Sequence, residues 1–110
     1  MAQSEENKVI NNSTIDYNKV QVALGMTGRR IISTPEIHDT TQKILRVVVA
    51  IQVDRLGNVV RAKATLKGST TSDSSFFQLA EDAALKTKVN ADPSSAEEQF
   101  GTITYSFRVK

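Results

Sequence analysis

With 110 residues, 39% hydrophobic and 24% charged, a formal charge of +2 and no cysteine, the chain makes one domain at most, and disulfides, thiolate catalysis and cysteine-ligated metals are excluded. So small a cationic excess argues against a nucleic-acid surface. The longest apolar run, Val47–Ile51, has strand length rather than the roughly 18 residues of a membrane span, and Met1–Lys8 lacks the apolar stretch of a signal peptide, so any targeting segment is expected upstream.

Residues 1–14 are polar and asparagine-rich, the composition of a disordered linker arm, and the domain is assigned to residues 15–110 with its core in 43–110. Val20, Val22 and Leu24 alternate, Gly25–Gly28 makes a turn, and Arg29–Ile32 returns. That pattern predicts a short N-terminal strand or hairpin. Ser33–Gln42 holds Pro35 and polar residues and predicts loop with a helical turn.

The first central strand is Lys43–Asp54, with Leu45, Val47, Val49, Ile51 and Val53 on one face. Asp54-Arg55-Leu56-Gly57 reads as a hairpin turn, Gly57 supplying the positive φ of a type I turn plus bulge. In the second strand, Asn58–Lys67, Val60, Ala62, Ala64 and Leu66 are expected inward and Arg61, Lys63, Thr65 and Lys67 outward. A one-residue slip would bury three cations, which holds the register.

Asp73 stands where an N-cap belongs, and Phe76, Leu79, Ala80, Ala83 and Ala84 follow at helical spacing. Lys86 and Lys88 are expected to complement the helix C-terminus. Asn90–Gln99 contains Pro93 and reads as loop. The closing strand, Gly101–Val109, alternates Ile103, Tyr105, Phe107 and Val109 with Thr102, Thr104, Ser106 and Arg108.

The expected fold is therefore α+β: a small antiparallel sheet in the order second, first, third, built as a split β-α-β unit with one main helix on one face. The closing strand would form an edge. Ile44, Val48 and Ala50 should point away from the helix yet are apolar. The Lys19–Ile32 segment is expected to cover them, a homodimer being the other means of doing so.

From Lys43 to Lys110 the pattern resembles the C-terminal domain of TonB-family energy transducers. The resemblance rests on Val47–Val60 with its Val-Asp-Arg-Leu-Gly-Asn-Val-Val turn, on the Gly68–Asp73 loop before the helix, and on the ending Gly101–Phe107. Leu24–Arg30 and Ser33-Thr34-Pro35 are similar to the lead-in of one branch. The sequence departs from the family at Thr34-Pro35, where Tyr-Pro is usual, and at Thr87-Lys88-Val89, where Trp-Arg-Phe often ends the main helix.

The resemblance implies a periplasmic domain on a spacer from an inner-membrane anchor outside this chain. Its partners would be the TonB-box peptide of an outer-membrane receptor, for nutrient uptake, and, through the upstream segment, an inner-membrane proton-driven motor complex. An exposed edge can receive such a peptide as an extra strand. The expected recruiting edge is Thr102, Ile103, Thr104, Tyr105, Ser106, Phe107 and Arg108. A peptidoglycan-binding or structural envelope domain is the alternative.

No enzyme, cofactor or metal site is expected, and no nucleic-acid partner. His38 is the single histidine, in a polar stretch, and reads as solvent-facing. Asp54, Glu81 and Asp82 form no carboxylate pair that sequence can assemble. The hydroxyls of Ser69–Ser75 lack a nucleophile turn or a base.

Overall fold

The computed structural model describes residues 14–17, 20–37 and 44–107, the first of these segments by its backbone alone. The strands are β1 (Thr14–Tyr17), β2 (Val20–Gly25), β3 (Ile31–Ser33), β4 (Leu45–Asp54), β5 (Val59–Thr65), β6 (Lys88–Val89) and β7 (Glu98–Phe107), and one helix, α1 (Ser74–Leu85), lies between β5 and β6. The fold is α+β. Five strands form one antiparallel sheet in the order β1-β2-β7-β4-β5, and β3 pairs with β6 in a second, two-stranded sheet.

Strict alternation in β4 buries Leu45, Val47, Val49, Ile51 and Val53 on one face. In register with them are Ile103, Tyr105 and Phe107 of β7, which pair in turn with Leu24, Val22 and Val20 of β2. Each such side chain contributes about 1.5–3 kcal/mol by leaving water. Helix α1 packs over β4 and β5 on this face. Its side chain Asp73 caps the first turn by accepting from Ser75 N–H, and Phe76, Ala80, Ala83 and Ala84 are buried. Phe76 meets Phe107 edge to face, ring centroids 5.4 Å apart. Ile31, Ile37 and Val89 belong to the same core.

Several expectations need correction. The sheet is not three-stranded: β5, β4 and β7 are consecutive, but β2 and β1 continue it beyond β7. The Lys19–Ile32 segment does not cover the open face, because Val20–Gly25 lies in the plane of the sheet and Ile31–Ser33 pairs with β6. Burial of Val20, Val22 and Leu24 on the helix-bearing side drives this placement. Val48 and Ala50 remain half-buried and Ile44 exposed.

In β5 a bulge sets Gln52 against Arg61 and Val53 against Val59, so Val60 is the extra residue and turns out, 48% exposed. Leu66 lies past the end of the strand and is exposed too. Lys88 does not extend the helix; α1 ends at Leu85, Lys86 caps it, and Lys88 enters β6 with Nζ on Asn58 Oδ1 at 3.0 Å. The closing strand starts earlier than its alternation suggested, at Glu98, and Phe100 thereby joins the open face in phase with Thr102 and Thr104.

Candidate functional site: the margins of the sheet

A sheet offers unpaired backbone groups only along its outer strands. The expected recruiting strand is not one of them. Thr102, Ile103, Thr104, Tyr105, Ser106 and Phe107 pair on one side with Gly25 to Val20 and on the other with Ala50 to Leu45. Ile103, Tyr105 and Phe107 are core residues; Thr104 and Ser106 are half-buried on the open face. Arg108 lies outside the described residues, as does His38. The margin assigned to a guest is thus filled by the chain's own β2. Spacing alone could not show this, because the pairing joins the two ends of the domain.

Among the described residues the outer strands of this sheet are β5 and β1, and they differ. Along β5 the closures run from end to end. At its start Asn58 bridges to Lys88, and Val89 N–H donates to Gly57 O at 2.9 Å. Next comes the Val60 bulge. Near its end Ala64 N–H donates to Glu81 Oε2 of α1 at 2.7 Å. Past Thr65 the loop takes over: Thr70 N–H donates to Arg46 O at 2.8 Å, Arg46 N–H to Thr70 Oγ1 at 2.8 Å and Val48 N–H to Ser69 Oγ at 2.9 Å. The hydroxyls of Ser69 and Thr70 therefore satisfy β4, a structural use. Strand β1 pairs with β2 from Thr14–Ala23 to Tyr17–Val20, and on its other side it has no strand partner among the described residues.

A second polar cluster escaped sequence reasoning. Arg29, 2% exposed, donates from Nη1 to Asn90 O at 3.0 Å and from Nη2 to Asp54 O at 3.2 Å and Ser95 Oγ at 2.9 Å. It ties the turn after β2 to the β4–β5 hairpin and to the loop before β7. Around it Asn90 N–H donates to Arg30 O, Asp92 N–H to Arg55 O, and Arg55 Nε to Ser95 O. Asp92 is held below the usual carboxylate range by Ser94, whose hydroxyl and N–H both donate to it, with Arg29 adding its charge. Two adjacent arginines after a turn gave no sign of which one is buried.

The stretches at Thr34-Pro35 and Thr87-Lys88-Val89 touch each other. Thr34 Oγ1 and Thr87 Oγ1 are 2.7 Å apart, and the Thr87 hydroxyl donates to Ala83 O at 2.9 Å. The buried Tyr105 hydroxyl lies near Thr87, and burial pushes its pKa up. Beside it, a groove of about 340 Å³ runs between Pro35–Ile37 and the helix residues Leu79, Asp82, Ala83 and Lys86.

Among the described residues no three histidine, aspartate or glutamate side chains gather as a metal site. Glu81 is engaged with the Ala64 amide, and Asp82 accepts from Gln78 Nε2 at 2.9 Å. Asp54 accepts from Asn58 N–H at 2.8 Å within its own turn, which lowers its pKa. The chain matches no family model, no curated protein and no solved structure.

Proposed function

We propose that this domain is a docking module that captures an extended polypeptide by strand addition, in the manner of the C-terminal domain of a TonB-like energy transducer. The supporting observation is an antiparallel sheet whose outer strand β1 has no second strand partner among the described residues, carried on a core that one helix packs over from a single side. A guest strand added to an outer strand gains backbone hydrogen bonds of about 0.5–1.5 kcal/mol each, a weak and reversible grip. In this reading the domain works in the periplasm, joined to an inner-membrane anchor and motor complex by chain outside this sequence, and its guest is the TonB-box segment of an outer-membrane receptor. Titrating the labelled protein with a synthetic TonB-box peptide tests the reading. Saturable shifts at strand amides are expected; a spectrum unchanged at high peptide excess would defeat it.

The open face favours a second reading. Phe100 is 75% exposed there, and Arg46, Arg61 and Lys63 are exposed on the same side. An aromatic face with cations around it suits a sugar polymer bearing carboxylates, as peptidoglycan does. Cosedimentation with purified peptidoglycan, abolished by Phe100→Ser, would favour this alternative over peptide capture.

A further inference from the structure

We infer that the open face of the sheet reads carboxylates on a linear polysaccharide, Phe100 seating a sugar ring while Arg61 and Lys63 pair with the acid groups beside it. The inference rests on the second reading above. It adds the path of the polymer and the residues that make the face selective for acidic over neutral sugars. Alternation along β7 puts Phe100, Thr102, Thr104 and Ser106 in file on this face. At about 3.4 Å per residue the file is about 20 Å long.

The neighbours of the file are small. Thr102 lies between Gly25 and Ala50, and Thr104 between Ala23 and Val48. An aromatic ring followed by three hydroxyls suits a sugar chain. The C–H face of one ring lies on Phe100, and hydroxyls further along exchange hydrogen bonds with the threonines and Ser106.

Charge decides the kind of sugar. Gln52 lies between Phe100 and Arg61 in one cross-strand row, and Ala50 lies between Thr102 and Lys63 in the next. Each cation is thus about 10 Å from the file, backbone to backbone, across β4. A group projecting from a sugar seated on the file comes within reach of both side chains. Both are exposed, and among the described residues neither has a carboxylate partner. Arg46, by contrast, donates from Nε to Gly68 O at 3.1 Å. The acids of this face are engaged elsewhere: Glu98 accepts from Gln52 Nε2, and Asp54 accepts from Asn58 N–H within its own turn. Two cations without internal acids, beside an aromatic ring, favour an acidic ligand over a neutral one.

Two other polyanions fit less well. A single-stranded nucleic acid stacks its bases on successive aromatic rings, and among the described residues this face presents one. An extended acidic peptide gains its grip chiefly from backbone pairing, and β7 and β4 already have strands on both sides.

The test compares native peptidoglycan with the same material amidated at its carboxylates, and with chitin, a neutral polymer of related sugars. At low salt, cosedimentation should be about three- to tenfold tighter on native peptidoglycan than on either neutral matrix. The double variant Arg61→Gln, Lys63→Gln should erase that preference and keep the weaker binding, whereas Phe100→Ser should abolish binding to all three. Thermal unfolding of each variant checks that the fold is retained. Equal binding of native and amidated peptidoglycan by the wild type would overturn the carboxylate assignment while leaving a sugar-binding face. A double variant that keeps the preference would overturn the roles of Arg61 and Lys63. Binding to none of the matrices would remove the second reading itself. The TonB-box titration is independent of each of these results.

Soluble muropeptides locate the contact. Amide shifts are expected at 98–106, 50–52 and 61–63, and shifts confined to other residues would overturn the placement. Tighter binding of polyuridylate or polyglutamate, with shifts at those same residues, would overturn the choice of a sugar.

Discussion

Glu81 Oε2 accepts the backbone N–H of Ala64 at 2.7 Å, so a carboxylate from the helix occupies a donor that an outer strand would otherwise hold toward a neighbour. The contact joins two functions, fastening α1 to β5 and blocking the margin. Glu81→Ala is expected to cost about 1 kcal/mol in urea unfolding, the net worth of one such bond. It should also produce concentration-dependent association in sedimentation velocity, because the freed donor reopens the edge. Glu81→Gln keeps an acceptor and should show none of the added association expected of Glu81→Ala.

Gly57 has φ of 94°, and a Cβ there would come within 2.0 Å of Val89 O. The turn and the strand passing it therefore admit no side chain. Gly57→Ala should destabilise the domain by roughly 2–4 kcal/mol, combining backbone strain with displacement of β6. Chemical denaturation checks this, and Gly28→Ala is the control: its φ is 78° but nothing lies within 4 Å of an added Cβ, so the loss should be near 1 kcal/mol.

Arg29 makes three hydrogen bonds to three separate backbone or side-chain acceptors from a buried position. Arg29→Met removes all three and is expected to cost about 2–4 kcal/mol. Arg29→Lys keeps the charge but not the planar fork, and should recover less than half of that loss. Hydrogen exchange should quicken first in residues 90–95, the loop that Arg29 retains.

Asp54 and Asp92 both have pKa values lowered from 3.8, chiefly by the N–H of Asn58 and the hydroxyl of Ser94 respectively. A carboxylate depressed on folding binds protons more readily in the unfolded chain. Its stabilisation is therefore full above the unfolded pKa and is lost as pH falls through the lower folded value. Stability is expected to drop below about pH 4. The double variant Asp54→Asn, Asp92→Asn should show a shallower acid limb in urea titrations at pH 2.5 to 6; an unchanged limb would assign acid sensitivity to other groups.

Phe100 is largely exposed, and its removal should leave folding almost untouched. Phe100→Ser is expected to shift stability by no more than about 0.5 kcal/mol in thermal unfolding. A larger loss would mean that the ring is covered, by another copy or by part of the chain outside the described residues.

Local features were legible because their causes are local. The carboxylate of Asp73 caps the helix whose apolar residues follow it, and Gly57 takes the left-handed conformation that its turn demands. The alternation of Leu45 to Val53 and of Ile103 to Phe107 named the buried face of each strand correctly. Phe100 was legible in principle, being in phase with Thr102, Thr104 and Ser106, but Pro93 and the acidic residues after it made the preceding stretch read as loop. The Val60 bulge was not legible, since an unbroken alternation places Val60 inward as readily as Ala62.

What the sequence by itself determined is periodicity: which residues of a strand share a face, where the helix begins, and where the hairpin turns, all set by side chains within a few positions of one another. Only the tertiary structure decided the strand order beyond the hairpin. The alternation of Val20, Val22 and Leu24 names a buried face but no neighbour, and they lie beside β7, where they continue the apolar surface of Ile103, Tyr105 and Phe107. That pairing placed the last strand inside the sheet, with β2 and β1 beyond it. Adjacency in a sheet is settled by competition for buried area among distant segments, and no local pattern records its outcome.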